Sequence, residues 1–331
     1  MRKRFTNLIT LLKLTTITSV LIAIYNQFII YNASEKKRLA RSTNKKIYRS
    51  NKGNIFYTLH GEGSPILLIH DLTAGGSGYE WNRIEKELAE KHTVYTIDLP
   101  GCGRSEKKKQ IYTNDYYVQL LNDFITNVIR RRTDIIASGY SGSIALAINK
   151  NNKKHIKKII LINPCNLKKY TKKPSNKDII FYYVLLTPIF GTLIYHMLVS
   201  CENIDNLFVE NYYYNPFHLD TDMEDAYYEA SHRNQSLSKY IYASLIRNYT
   251  GCNVGSILRY SSDAENIAIY YGEAEQNYQE TIHQYQDILP EINVSIIKHA
   301  KHFPHVEQPQ TFLIEAEQFL TGKNKIYNIF N

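Results

Sequence analysis

Cysteine is scarce in this chain. Cys102, Cys165, Cys201 and Cys252 are spread over 331 residues, with neither a CxxC pair nor the density of a disulfide scaffold, so free thiols are expected. Acidic residues are outnumbered 31 to 40 by basic ones, which leaves a formal charge of +9. The excess is lysine scattered through stretches such as KNNKKHIKK and KKYTKKPSNK. Neither finger spacing nor a compact basic recognition helix accompanies it, which argues for a solvated basic surface and against a nucleic-acid partner. The GxGxxG spacing of a dinucleotide site is missing, as is a compact His/Asp cluster that would demand a metal. No cofactor and no metal are expected.

Charge of either sign is also missing from Leu14 to Ser34. As a helix rising 1.5 Å per residue, this run is about long enough to cross a bilayer. A small-x-small cleavage site does not follow it cleanly, so a retained single-pass anchor fits better than a cleaved signal peptide. Positive charge lies on both sides, in Arg2–Arg4 and in EKKRLARSTNKK. The heavier C-terminal flank leans slightly toward a cytoplasmic catalytic domain.

What is present, at 44% hydrophobic residues, is enough for a core. Tyr48–Ser50 and Asn54–Tyr57 read as strands around an Asn51–Gly53 turn. Apolar runs at Pro65–His70, Thr93–Ile97, Asp134–Ala137 and Ile159–Ile162 alternate with helical patterns at Trp81–Lys91, Tyr116–Arg130 and from Ser143. That rhythm predicts an α/β fold with a mostly parallel sheet flanked by helices. It breaks into long aromatic-rich helical stretches and resumes at Asn266–Tyr271 and Asn293–Ile297. The expected organisation is an anchor over 1–34, a basic linker over 35–46, a core over 47–165, an inserted helical cap over 166–265, and the rest of the core with a tail over 266–331. IIFYYVLLTPIFGTLIYHMLV in the insertion is apolar enough to raise a second span, but cap helices over a sheet edge explain it better.

Gly139–Tyr140–Ser141–Gly142–Ser143 falls between a strand and a helix, the setting of a nucleophile elbow. Ser141 is the candidate nucleophile; Ser138 and Ser143 suit turn or cap roles. A serine needs a base and an orienting acid. His302 follows a strand in KHAKHFPHVEQP, with His299 and His305 as competitors. Glu275, and next Glu273, follow a strand in YYGEAEQ.

These stretches resemble capped α/β-hydrolase-fold serine hydrolases of the esterase, lipase and peptidase type, over about Tyr48 to Leu320. Asp98–Ser105 matches the family's Asp-x-Pro-Gly-x-Gly-x-Ser, and Lys301–Pro309 matches its histidine motif with Lys301 in place of glycine. Asp71 stands where the family's His-Gly has glycine, Glu275 where aspartate is more common, and Ser143 at the last elbow glycine. The resemblance implies that Glu275 orients His302, that His302 takes the proton of Ser141, and that the N–H groups of Leu72 and Gly142 hold the oxyanion. An ionised Asp71 pointing inward would oppose that charge.

The function expected is a serine hydrolase cleaving a small, moderately hydrophobic carboxylic ester beneath a tyrosine-rich cap. Its partners are a small-molecule acyl substrate and a lipid bilayer at the N-terminal segment; the oligomeric state is not legible. An aminopeptidase or amidase would draw on Asp220, Asp222, Glu224 and Asp225 for an amine, and a noncatalytic membrane-anchored ligand-binding module is the third reading.

Overall fold

The computed structural model describes residues 2–41, 43–260 and 264–322. The expected C-terminal tail from residue 323 lies outside them, as do single positions of the expected anchor and linker.

Eight strands form one sheet in the order β1-β2-β4-β3-β5-β6-β7-β8. They are β1 (Lys45–Tyr48), β2 (Ile55–His60), β3 (Ser64–Ile69), β4 (His92–Ile97), β5 (Thr133–Ser138), β6 (Ile156–Ile162), β7 (Ile267–Gly272) and β8 (Asn293–Ile297). β1 and β2 pair antiparallel at one edge and every pairing from β4 to β8 is parallel.

Both faces of the central strands β3, β5 and β7 are dry, which is why these strands read as apolar runs. Alternate residues of one strand serve opposite cores. Ile66 and Leu68 of β3 pack with Trp81, Ile84 and Phe312 on one face. Leu67 and Ile69 pack with Phe124 and Ile144 on the other.

The flanking helices include α2 (Asn114–Phe124), α3 (Gly142–Asn152), α9 (Val254–Arg259), α10 (Tyr278–Gln286) and α11 (Pro309–Thr321). α2 starts where the Thr113 side chain accepts from Tyr116 N–H, satisfying an otherwise orphan donor. The helix expected over Trp81–Lys91 is shorter than its pattern. A turn at Gly78–Trp81 and a single helical turn at Glu85–Leu88 suffice to return the chain to β4.

Between β6 and β7 lies the helical layer: α4 (Asn176–Leu186), α5 (Phe190–Leu198), α6 (Cys201–Leu207), α7 (Thr221–Ser236) and α8 (Lys239–Ile246). It has its own core around Tyr182, Leu185, Tyr195, Phe208 and Tyr228. α9, by contrast, contributes Val254 and Leu258 to the sheet core. α7 leaves helical geometry at Arg233–Gln235, and Asn234, Gln235 and Ser236 all have positive φ.

The N-terminal helix α1 (Arg2–Ser34) contains a stretch, Thr6–Ser34, with mean hydropathy 1.9, long and apolar enough to cross a membrane. Its C-terminal half rests on the helical layer. Asn26 Nδ2 donates to the Ile189 carbonyl (3.1 Å), and past the helix Arg38 pairs with Asp222 and Asp225 of α7.

Candidate active site

The site is assembled from four loops at the C-terminal ends of parallel strands, the edge where open α/β sheets place their ligands. The first loop follows β3. Its anchor is Asp98, at the end of β4. Asp98 Oδ1 accepts from Gly78 N–H (2.7 Å) and its carboxylate is paired with Arg104. Burial pushes the Asp98 pKa up, but the Arg104 charge and hydrogen bonds outweigh it and bring it to about 2. The clamp holds the turn that carries Glu80, and Glu80 Oε2 accepts from Asp71 N–H at 2.9 Å. The Asp-x-Pro-Gly motif therefore reaches the site through Glu80 and the Asp71 backbone.

The second loop is the elbow after β5, and here the structure departs from the sequence reading. β5 runs on to Ser138, and the residue that turns the chain with φ +54 is Gly139. Such a backbone suits glycine. Ser141 has φ −66 and ψ −14, already helical, two residues further on. Its hydroxyl is fully buried and donates to the His70 carbonyl at 2.7 Å. Ser141 is thus a tie between the elbow and the β3 loop, and the structure does not bring it to His302. The expected oxyanion donor Gly142 is corrected for the same reason, because its N–H closes the turn onto the Gly139 and Tyr140 carbonyls. Leu72 is buried immediately after Asp71.

The elbow glycine has no side chain, and the space is taken by Asp71. A Cβ on Gly139 would overlap the Asp71 carboxyl group. Asp71 Oδ1 accepts from Tyr140 N–H at 2.7 Å, and Asp71 Oδ2 lies 3.4 Å from His302 Nε2. A carboxylate borrowed from the neighbouring loop therefore meets the histidine and the backbone donor at the turn.

The loops after β7 and β8 bring Glu275 and His302 together, with His302 Nδ1 3.2 Å from Glu275 Oε2. Glu273 instead accepts from His299 N–H. His305 is buried against Trp81, and its Nε2 lies 3.3 Å from Glu80 Oε1. The His302 ring stacks on Tyr212 at 4.7 Å, nearly parallel, and the His302 backbone N–H donates to the Tyr212 carbonyl at 3.0 Å. Burial disfavours the imidazolium, yet hydrogen bonds and charge from Asp71 and Glu275 outweigh it and raise His302 to about 10. Burial likewise opposes ionisation of Asp71, but His302 and Tyr140 N–H hold its pKa below the ordinary carboxylate value. Both shifts describe one state, an imidazolium between two carboxylates.

The roof is apolar. Tyr212, Met223, Tyr227 and Phe303 line the cleft with Asp71, and the remaining cavity is about 10 Å³, at the lower limit of what holds one water. The Tyr227 ring lies so close over Gly75 that a Cβ there would overlap it. The Tyr212 and Tyr227 hydroxyls are 3.5 Å apart, and burial pushes both phenols upward in pKa, which keeps them protonated donors. The acidic cluster considered for an amine is otherwise engaged. Asp220 binds Arg83, and Asp222 and Asp225 bind Arg38. Burial and neighbouring Asp205 raise Glu224 to about 7.

Known proteins share this framework. A soluble epoxide hydrolase of Corynebacterium sp. (strain C12) is 25% identical over 107 residues, 32% of this chain and 37% of that protein. The chain spans about a third of the length of the curated relatives it matches. A serine hydrolase involved in carbazole degradation superposes with a TM-score of 0.68 at 19% identity, covering 84% of this chain and 98% of that one. A membrane phospholipase A superposes with a TM-score of 0.65 at 18% identity over 98% of this chain and 100% of that one. The family model described as "Alpha/beta hydrolase family" matches residues 66–316. With three quarters of its length matched and the sheet, elbow and histidine loop in place, the chain belongs to the alpha/beta hydrolase family.

Proposed function

We propose that this protein is a hydrolase whose reacting group is the Asp71 carboxylate, and that it opens uncharged, moderately hydrophobic alkyl electrophiles such as epoxides or alkyl halides. One observation carries the reading: Asp71 fills the side-chain space of Gly139 and touches both Tyr140 N–H and His302. The backbone donor is bound to an oxygen of Asp71 itself. It is therefore placed for charge developing at the Asp71 carboxyl carbon rather than at a substrate carbonyl.

The steps follow. Asp71 Oδ2 attacks a saturated carbon, the bond to the leaving atom breaks with its electron pair, and an alkyl ester of Asp71 forms. A departing oxygen takes the His302 proton, directly or through a phenol of Tyr212 or Tyr227 that His302 then reprotonates; a halide leaves as the anion and the His302 proton passes to solvent. Esterification removes the Asp71 charge that held His302 protonated, so the neutral imidazole, oriented by Glu275, is then able to deprotonate water. Hydroxide adds to the Asp71 carboxyl carbon, Tyr140 N–H holds the oxyanion on Oδ1, and collapse expels the alcohol, which recovers its proton from His302. The likeness to a soluble epoxide hydrolase supports this substrate class.

Ester cleavage through Ser141 would require its hydroxyl to leave the His70 carbonyl and pass Asp71, and the geometry gives that route no support. α1 anchors the catalytic domain to a membrane in this reading, with the more basic flank and the domain on the cytoplasmic side.

The test is a trap. The full chain carrying His302→Gln is incubated with styrene oxide, 1-bromohexane or p-nitrophenyl hexanoate, and its intact mass and modified peptide are read. An alkyl adduct on Asp71 is expected. Acylation of Ser141 would overturn the proposal in favour of the serine ester hydrolase. No adduct, together with no turnover by the wild type, would overturn it in favour of a noncatalytic binding module.

A further inference from the structure

In α1, every described side chain from residue 6 to 18 is exposed. From Ser19 onward one face meets the protein: Ser19, Ile22, Ala23, Asn26, Ile29 and Ala33 are buried or half-buried. These positions recur at helical spacing, so a single stripe of α1 docks while Val20, Leu21, Ile24, Tyr25 and Phe28 stay exposed. The free part, residues 6–18, measures about 20 Å, short of the roughly 30 Å of a hydrocarbon core. Arg2, Lys3 and Arg4 precede this part and Lys13 interrupts it, the uncharged run beginning at Leu14. A membrane crossed by α1 must therefore extend past residue 18, into the docked part.

The α4–α5 corner sits at that level. Ile189 lines a groove with Thr15, Thr16, Ser19, Val20 and Ala23 of α1, and its carbonyl accepts from Asn26 Nδ2. The corner is built unlike a water-facing one. Residues 179–201 contain no Asp, Glu, Lys or Arg. The outward side chains are large and apolar: Ile180 is 67% exposed, Tyr183 62%, Phe190 51% and Met197 63%. The two helical runs, Asn176–Leu186 and Phe190–Tyr212, meet at a 114° bend, so the segment folds back rather than crossing. Lys172, Lys173 and Lys177 stand exposed just before it, where an anionic headgroup layer would meet them.

We infer that the α4–α5 corner is embedded in the leaflet that surrounds the docked half of α1, so that the cap itself is a membrane-inserted element. This rests on the membrane reading of α1, and the experiment separates the two.

Tryptophan fluorescence reads it in the full chain, whose one tryptophan is the buried Trp81. Phe190→Trp on the corner, Tyr25→Trp on α1 and Tyr260→Trp on the far side of the sheet are each reconstituted into phosphatidylcholine/phosphatidylglycerol vesicles with and without bromine on the acyl chains. The fluorescence added by Phe190→Trp should be lost to bromine as completely as that of Tyr25→Trp, while that of Tyr260→Trp is unchanged. Quenching of Tyr25→Trp alone would overturn the inference and leave α1 as a lone span. Quenching of neither would overturn the membrane reading and the inference with it.

Discussion

Two regions of this protein bury imidazoles, and they do so to opposite ends. At the sheet edge, His302 is held between Asp71 and Glu275 and rises to about 10. In the cap, His196 and His232 lie with ring centroids 5.0 Å apart, and their polar partners are uncharged: the Ser236 hydroxyl and the Tyr228 carbonyl. Burial, the mutual repulsion of the pair and nearby Lys239 lower His196 to about 3. Burial, against the Tyr228 carbonyl, with Lys107 lowers His232 to about 4. Desolvation acts alike in both places. What differs is the carboxylates, so charge at a buried imidazole is decided by its partners. The cap surrounds its imidazoles with uncharged acceptors and with the buried ammonium groups of Lys107 and Lys239, whereas the sheet edge surrounds His302 with carboxylates.

Removing a carboxylate should move His302 toward the cap pattern. Asp71→Asn takes away one of its two anionic partners and the proposed nucleophile. It is expected to lower kcat/KM for the best alkyl substrate by roughly 10⁴-fold, the scale seen when a reacting group is deleted. It should also lower the His302 pKa, read by histidine NMR titration. Lost activity with an unmoved His302 would contradict the contact.

A second perturbation asks whether Asp71 and Gly139 are one feature. Gly139→Ser puts a side chain into the Asp71 carboxyl group and into a positive-φ position, and should cost about 3 kcal/mol in urea unfolding. Asp71→Gly added to it should recover most of that loss, a non-additivity expected of touching residues. Equal costs with and without Asp71→Gly would refute the overlap.

Taken per pH unit, the smallest effect is in the pH dependence of stability, where the two regions should pull in opposite directions. The cap histidines have folded pKa values below the unfolded 6.5. Their stabilisation is full above pH 6.5 and is lost as pH falls toward 4 and 3. His302 has a folded pKa above 6.5, so its contribution is full below pH 6.5 and is lost as pH rises toward 10. Each group alters stability by up to about 1.4 kcal/mol per pH unit inside its window. His196→Leu should flatten the acid limb of the melting profile and leave the alkaline limb in place; His302→Gln should do the reverse.

The sheet was legible because its central strands are buried on both faces and so are written as apolar runs. His302 and Glu275 were legible because each follows such a run. The elbow was not read in its true register. Two overlapping small-x-x-x-small patterns occur there, Ala137–Ser141 and Gly139–Ser143, and only the second has a serine at its centre. The signal that separates them is backbone sterics: the strand reaches Ser138, the next residue must take positive φ, and glycine stands at that position. Asp71 was noticed as an obstacle to an oxyanion. That it fills a side-chain vacancy depends on two loops 68 residues apart meeting edge to edge, which no local pattern encodes.

The docking of α1 bears on how the protein has to be handled. A chain cut back to Lys45, where β1 begins, would be the obvious water-soluble form. It would strip Leu39 from the cap, and with it the backbone N–H that binds the buried Glu229 carboxylate at 3.0 Å, and it would remove Arg38 from Asp222 and Asp225. All three carboxylates belong to α7, the helix that carries Tyr227 over Asp71. Shortening the tail thus unbraces the lid, and a faithful soluble preparation keeps residues 19–41 and sheds apolar side chains from the outward face of α1 instead.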